Sequence, residues 1–188
     1  MDLVLSLRRF LPADAPEAAD LAQILAFALR HPHPFDRAIR EGHLTASALI
    51  VSDDGARVLL LHHLKLHRWL QPGGHGDPGE TSAEAVALRE AHEETGLAGL
   101  TLHSAAPRPL DVDVHDIPAR PGEPAHQHLD LRYLVIAPAG APLARCTEET
   151  NDLRWFGWPE LPTLDLDHGL RRALAKAGAL VAEVPGSG

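Results

Sequence analysis

The sequence predicts an α/β fold, a mixed, twisted sheet between helices, preceded by an N-terminal helical extension. Three observations lead there. Apolar residues at helical spacing fill the chain before His31, several short apolar or alternating runs follow between Leu44 and Gly157, and a glycine-rich turn among them leads directly into a helix. The 188 residues suit one domain with an extension. The expected division is an extension over 1–42, the main domain over 43–182 and a polar tail over 183–188.

In the extension, Leu3 to Phe10 reads as a short helix. Pro16 to Arg30 reads as a stronger one, with Leu21, Ile24, Leu25, Ala28 and Leu29 at helical spacing and Asp14 or Ala15 preceding it. The run HPHPF, His31 to Phe35, stops it. The extension is expected to cover a flank of the domain or make a dimer contact, and a substrate lid is the alternative.

Leu44 to Ser52 and Arg57 to His63 are predicted strands, joined at Asp53-Asp54-Gly55 by a hairpin signal. After the glycine-rich turn and its helix, Leu100 to His103 and Leu110 to Ile117 read as strands, the second alternating apolar with polar. Residues 118–128 read as a loop, Leu129 to Ala137 as a strand, 138–150 as a loop, Asp152 to Gly157 as a strand and Asp167 to Ala179 as a closing helix.

Charge and composition narrow the function classes. A formal net charge of −9 argues against a phosphate-backbone binder, which needs basic surface, so no extended nucleic-acid surface is expected. The single cysteine, Cys146, excludes an internal disulfide and suits a reducing compartment. No run reaches the ~20 apolar residues of a membrane span. Arg8 and Arg9 follow the first apolar run rather than precede it, unlike a signal peptide. The expected location is cytoplasmic, and the expected state is a monomer or homodimer.

The stretch Gly73 to Leu97, GGHGDPGETSAEAVALREAHEETGL, carries the chemistry. Its first half is dense in glycine and reads as turn rather than helix or strand. Thr81 and Glu84 fit a capping box, and Gly96 sits where a helix C-terminal glycine belongs. At 100° per residue, Glu90, Glu93 and Glu94 share an arc of about 100°, with Ala85, Leu88 and Ala91 opposite. Such a cluster is either a solvated acidic face or a cation site. Two details favour the cation. The macrodipole disfavours negative charge at a helix C-terminus, and the preceding loop can approach a ligand closely. Clustered carboxylates suit a hard divalent cation, usually Mg²⁺ bridging to a phosphate.

These residues resemble the Nudix box, whose order is Gly, five residues, Glu, seven residues, Arg-Glu, an apolar residue, any residue, Glu-Glu, any residue, Gly and an apolar residue. Gly74, Glu80, Arg89, Glu90, Glu93, Glu94, Gly96 and Leu97 match it. Two features depart from it: eight residues lie between Glu80 and Arg89 instead of seven, and the apolar position is only Ala91. Upstream, Trp69, Pro72, Gly73 and Gly74 match the Trp-x-x-Pro-Gly-Gly that precedes the box. The resemblance implies a Nudix-like α/β/α sandwich with a mixed sheet. It also implies a metal-dependent pyrophosphohydrolase of the MutT-like class, cleaving a diphosphate linkage in a small nucleotide such as a nucleoside triphosphate, ADP-ribose or a dinucleoside polyphosphate. The alternative is a binding or regulatory module that keeps the fold.

By resemblance, Glu90, Glu93 and Glu94 hold Mg²⁺, with Mn²⁺ able to substitute, and Arg89 and Glu80 orient the box glutamates. The carboxylate that takes the proton from water is Glu93, Glu94, Glu148 or Glu149. Gly73 and Gly74 shape the site, and Trp69 stacks on a base or fills the core. Arg120, Glu123, His126 and His128 are candidate substrate contacts in the 118–128 loop, and His126 and His128 could also serve a second metal as neutral ligands. An isopentenyl diphosphate isomerase, on the same fold, would need a cysteine near the first strands, where this chain has none.

Overall fold

The computed structural model describes residues 3–144 and 150–183. The extension forms α1 (Leu3–Arg8) and α2 (Ala15–Arg30). Of the two residues expected to precede α2, Asp14 is the cap, its side chain accepting from the Glu17 N–H at 2.8 Å, and Ala15 is already helical. Ile24 and Phe27 of α2 join Leu7 of α1 in one hydrophobic core, so the extension packs as a layer on the domain.

Strand β1 (Gly42–Ser52) is the centre of an eight-stranded sheet and is buried along its whole length. The hairpin at 53–55 returns the chain as β2 (Arg57–His63), with Ile50 opposite Leu59 and Val51 opposite Val58. Two short strands follow, β3 (Trp69–Leu70) against β2 and β4 (Gly73–His75) against β1. Helix α3 (Ala83–Thr95) comes next. Then come β5 (Thr101–Leu102), β6 (Asp111–Ile117), β7 (His126–Ala137) and β8 (Thr150–Gly157). A 3-10 helix (Trp158–Thr163) and α4 (His168–Glu183) close the described chain. β1 and β7 run parallel over Gly42–Ser52 and Gln127–Ala137, and every other pairing is antiparallel, so the sheet is mixed.

Strand alternation divides the core in two. Leu44, Ala46, Ala48 and Ile50 of β1 point to the side holding α1, α2 and α3. Leu49 and Val51 point to the side holding the 3-10 helix and α4. The result is helices on both faces of a sheet, the predicted α/β arrangement.

Two predicted boundaries shift. The segment 118–128 is not loop throughout, because β7 begins at His126, where the parallel ladder with β1 continues past Leu129. Gly73–His75 is strand rather than turn. A Cβ at residue 73 would lie 2.3 Å from the Ser47 Cβ, so β4 approaches β1 closely only because no side chain stands there.

Candidate active site

The site forms where β4 faces the C-terminal half of α3. Ser82, not Thr81, caps α3, its hydroxyl accepting from the Ala85 N–H at 3.2 Å. Gly96 ends the helix in the left-handed region, at φ 69°. The helix buries Ala83, Val86, Ala87 and Ala91 against β1, while Ala85 is exposed. The predicted apolar face of Ala85, Leu88 and Ala91 is therefore rotated from the one actually packed. Glu94, expected on the polar arc, lies on the buried stripe and is 9% exposed.

Gly74 of β4 makes room for one of those carboxylates, and Gly73 supplies a backbone donor to another. Alternation turns Gly74 toward α3, where a Cβ would lie 2.6 Å from the Glu90 carboxyl carbon and 2.7 and 2.8 Å from its oxygens. The backbone N–H of Gly73 donates to Glu94 Oε2 at 2.8 Å. Glu90 and Glu94 thus sit between helix and sheet, where a side chain on residue 74 would otherwise stand. The Glu93 side chain is 54% exposed against 17% for Glu90, and so marks the open rim.

Arg89 organises the cluster. Its Nη1 donates to Glu90 Oε1 and Glu93 Oε2, both at 3.0 Å. Its Nη2 donates to Glu80 Oε2 at 3.0 Å and to the His75 carbonyl at 2.7 Å, and its Nε donates to Glu80 Oε1 at 3.3 Å. Burial alone would lower the guanidinium pKa, but Glu80 and Glu90 override it and push the value up. In turn the Arg89 hydrogen bond holds the Glu80 carboxyl below its ordinary value. Glu80 Oε2 also accepts from the Asp77 N–H at 2.7 Å, which closes the glycine-rich turn. The longer spacing between Glu80 and Arg89 therefore leaves this ion pair intact, and Thr81 and Ser82 take up the connection before the helix starts.

Glu80, Glu90 and Glu93 share one guanidinium, and Glu94 lies on the Gly73 N–H. An oxygen-only donor set with excess negative charge, held at a glycine-lined backbone, fits a hard divalent cation that carries a phosphate with it. A cavity of about 600 Å³ lies elsewhere, between the 3-10 helix and α4, lined by Trp158, Leu161, Arg171, Leu174 and Gly178 among others. Its wall is mainly apolar, its one charged side chain, Arg171, already donates to the Leu164 and Leu166 carbonyls, and it includes no residue of β4 or α3, so the carboxylate cluster is the stronger candidate for the chemistry.

The other face of β4 carries a different group. His75 pairs with Thr45 and points away from α3, to the side of His43 on β1 and His128 on β7. His75 Nε2 is 3.0 Å from His128 Nε2, and the His43 ring centroid is 5.0 Å from those of His75, His126 and His128. Burial, then neighbouring positive charge, keeps all three imidazoles neutral: His43 and His75 fall to about 4, and His128 to about 2. Further along the same face, Asp130 accepts from Ser47 Oγ at 2.6 Å and Thr45 Oγ1 at 3.1 Å, and its partner Arg132 is buried beside Asp111 and Asp113. Sequence reasoning found His126 and His128 but missed His43 and His75. A strand starting at Leu44 leaves out His43, and the glycines around His75 signal a turn, although the polar alternation His43-Thr45-Ser47 points to one strand face.

Of the remaining candidates, Trp69 packs edge-on to Phe156, centroids 4.8 Å apart, and beside His62 at 5.2 Å, as part of the packing on the α4 side. Arg120 is exposed on a tight turn, where its backbone pairs both ways with Glu123. Glu123 Oε1 lies 3.8 Å from His126 Nε2. His126 is buried and stacks on His43. Glu148, Glu149 and Cys146 lie outside the described residues.

Comparison with known proteins agrees with this geometry. The NUDIX domain model matches residues 42–177. A protein of Bacillus subtilis (strain 168), provisionally named 8-oxo-dGTP diphosphatase, is 34% identical over 114 residues, which is 61% of this chain and 66% of that protein. The chain thus spans just under two thirds of that relative's length. A MutT NUDIX hydrolase from Burkholderia pseudomallei is 31% identical, with a TM-score of 0.54 over 72% of this chain and 98% of that one. A C. elegans Ap4A hydrolase, at 21% identity, shares the fold with a TM-score of 0.60 over 74% of this chain and 98% of that one. Among the described residues, no helix is long and apolar enough to cross a membrane.

Proposed function

The chain belongs to the NUDIX domain family, whose hydrolases generally use divalent metals, and from that premise we propose that it is a Mg²⁺-dependent pyrophosphohydrolase of a small nucleotide. Mn²⁺ should substitute. One observation carries the reading: Glu90 and Glu94 meet the Gly73–Gly74 backbone, and Arg89 ties Glu90 and Glu93 to the Glu80 turn.

Glu90, Glu93 and Glu94 would hold the metal, which when bound supplies charge neutralisation for the phosphates and an acidified water. The other tasks fall to the protein. Arg89 stays protonated and donates to Glu80, Glu90, Glu93 and the His75 carbonyl, so it fixes the carboxylates and moves no proton. Glu80 holds Arg89, and through it the spacing of Glu90 and Glu93. Gly74 leaves the Glu90 carboxylate room, and Gly73 lets β4 lie close on β1 with its N–H donating to Glu94. Glu93, at the open rim, is the described carboxylate best placed to accept a proton from water, with Glu94, Glu148 and Glu149 the alternatives. The substrate proposed is a nucleoside diphosphate derivative: a nucleoside triphosphate, as for the diphosphatase relative, or a dinucleoside polyphosphate or ADP-ribose.

The test is product release from a panel of these three classes with Mg²⁺ or Mn²⁺, repeated after chelation and after Mg²⁺ is restored. Turnover of one class that falls on chelation and returns with Mg²⁺ alone supports the proposal. Turnover of none of them contradicts it.

A further inference from the structure

We propose that His43, His75 and His128 form a second metal site, for a divalent transition-metal cation that takes nitrogen donors, with Zn²⁺ the best match. The site lies on the opposite face of the sheet from the glutamate cluster. One ring nitrogen from each residue falls within a set whose members all lie within 4.8 Å of one another.

Three observations carry the proposal. First, His43 is 2% exposed and neither of its ring nitrogens has a hydrogen-bond partner. A buried imidazole carries a donor and an acceptor that cost free energy when unmet, and a metal bond is one way to satisfy the acceptor. Second, His75 Nε2 faces His128 Nε2 at 3.0 Å. Two nitrogens bound at ~2.0–2.1 Å to one tetrahedral ion stand roughly 3.3 Å apart. A small ring rotation therefore separates the present geometry from a shared ligand. Third, the three residues come from separate strands whose register is fixed by backbone pairing, His43 opposite His128 and Thr45 opposite His75. The donors are held by the sheet rather than by a loop.

The donor set selects the ion. Imidazoles suit Zn²⁺ and its first-row neighbours, while Mg²⁺ takes oxygen and belongs to the other face. Three protein ligands leave a fourth position open, and the half-burial of His75 and His128 gives it a path to solvent. His126 stacks on His43, and its Nδ1–H donates to the Pro124 carbonyl at 3.0 Å, so it supports the His43 ring from outside the triad. Because Arg89 bonds the His75 carbonyl, an ion here would also pin β4 under the glutamate cluster.

The full chain, stripped with chelator, would be titrated with Zn²⁺ against a competing chromogenic chelator in millimolar Mg²⁺. The expected result is one Zn²⁺ per chain, an affinity at least about 100-fold weaker in His128→Gln and in His75→Gln, and an affinity within about twofold of wild type in Glu93→Gln. Co²⁺ on the unmutated chain would give the visible absorption of a four-coordinate site, a readout that needs no variant to fold. Zn²⁺ should also raise the melting temperature of wild type but not of His128→Gln. An absence of tight Zn²⁺ binding and of the Co²⁺ spectrum would overturn the proposal, leaving a histidine–histidine hydrogen bond only. So would Zn²⁺ binding that Glu93→Gln abolishes and the histidine variants keep.

Discussion

Gly74→Ala isolates the geometry on which the site depends. The new Cβ would stand 2.6 Å from the Glu90 carboxyl carbon, where ordinary contact begins at 3.4 Å, so the carboxylate must retreat by about 0.8 Å. Residue 74 is not at positive φ, so alanine brings no backbone strain. The neighbour it meets is the end of a flexible side chain, and the stability cost should stay within the ~1–3 kcal/mol of ordinary overpacking. Function should suffer more, because a misplacement near 1 Å costs on the order of 100-fold in rate. The assay is kcat at saturating nucleotide and Mg²⁺, with the melting temperature measured on the same sample. Gly79→Ala is the control. Its φ of 92° makes alanine strained, yet nothing lies within 4 Å of the new Cβ. It should lose ~1–2 kcal/mol of stability and keep most of its turnover. Turnover in Gly74→Ala within about threefold of wild type would refute the reasoning that this glycine makes room for a working Glu90.

Other expectations follow from the same contacts. Phe27→Ala, at a residue 3% exposed between α2 and the sheet, should cost ~3–5 kcal/mol in denaturant titration while leaving KM unchanged. The metal-free chain should lose stability as pH falls from 6.5 toward 4. His43, His75 and His128 have folded values below their unfolded 6.5, so their contribution is present above 6.5 and is lost as protons bind the unfolded chain. The slope is at most about 1.4 kcal/mol per pH unit for each such imidazole. In urea melts across that range, His128→Gln should show a flatter slope. Glu80→Gln should remove a separate acid limb below pH 4.5. The Glu80 carboxyl is depressed by the Arg89 hydrogen bond, so its stabilisation holds above the unfolded value of 4.5 and fades as pH falls through the folded one.

Local patterns made much of this molecule legible. Asp14 before Pro16 marked the start of α2, Asp53-Asp54-Gly55 marked a hairpin, and Gly96 marked the end of α3. The glutamate cluster could be read because its members share one helix, where spacing alone sets their relation. Contacts between distant segments could not be read this way. That Glu90 and Glu94 lie on the buried side of α3 depends on glycines about twenty residues earlier, and glycine in a sequence signals a turn as readily as a close approach. The cap moved from Thr81 to Ser82 because either hydroxyl suits the local pattern and tertiary packing chooses. The histidine group needs the register of three strands, two of them parallel and far apart in the chain, which no local period encodes.

The central claim is that the carboxylates of α3 gathered between Arg89 and the Gly73–Gly74 backbone do chemistry. Turnover of Glu93→Gln, at saturating Mg²⁺ and nucleotide, tests it most directly. Glu93 is exposed, and its described partner is Arg89, which keeps Glu80 and Glu90, so the variant should fold as wild type does. The account predicts a loss of kcat on the order of 100- to 10,000-fold with the melting temperature nearly unchanged. A kcat within tenfold of wild type would contradict it and move the chemistry away from this helix.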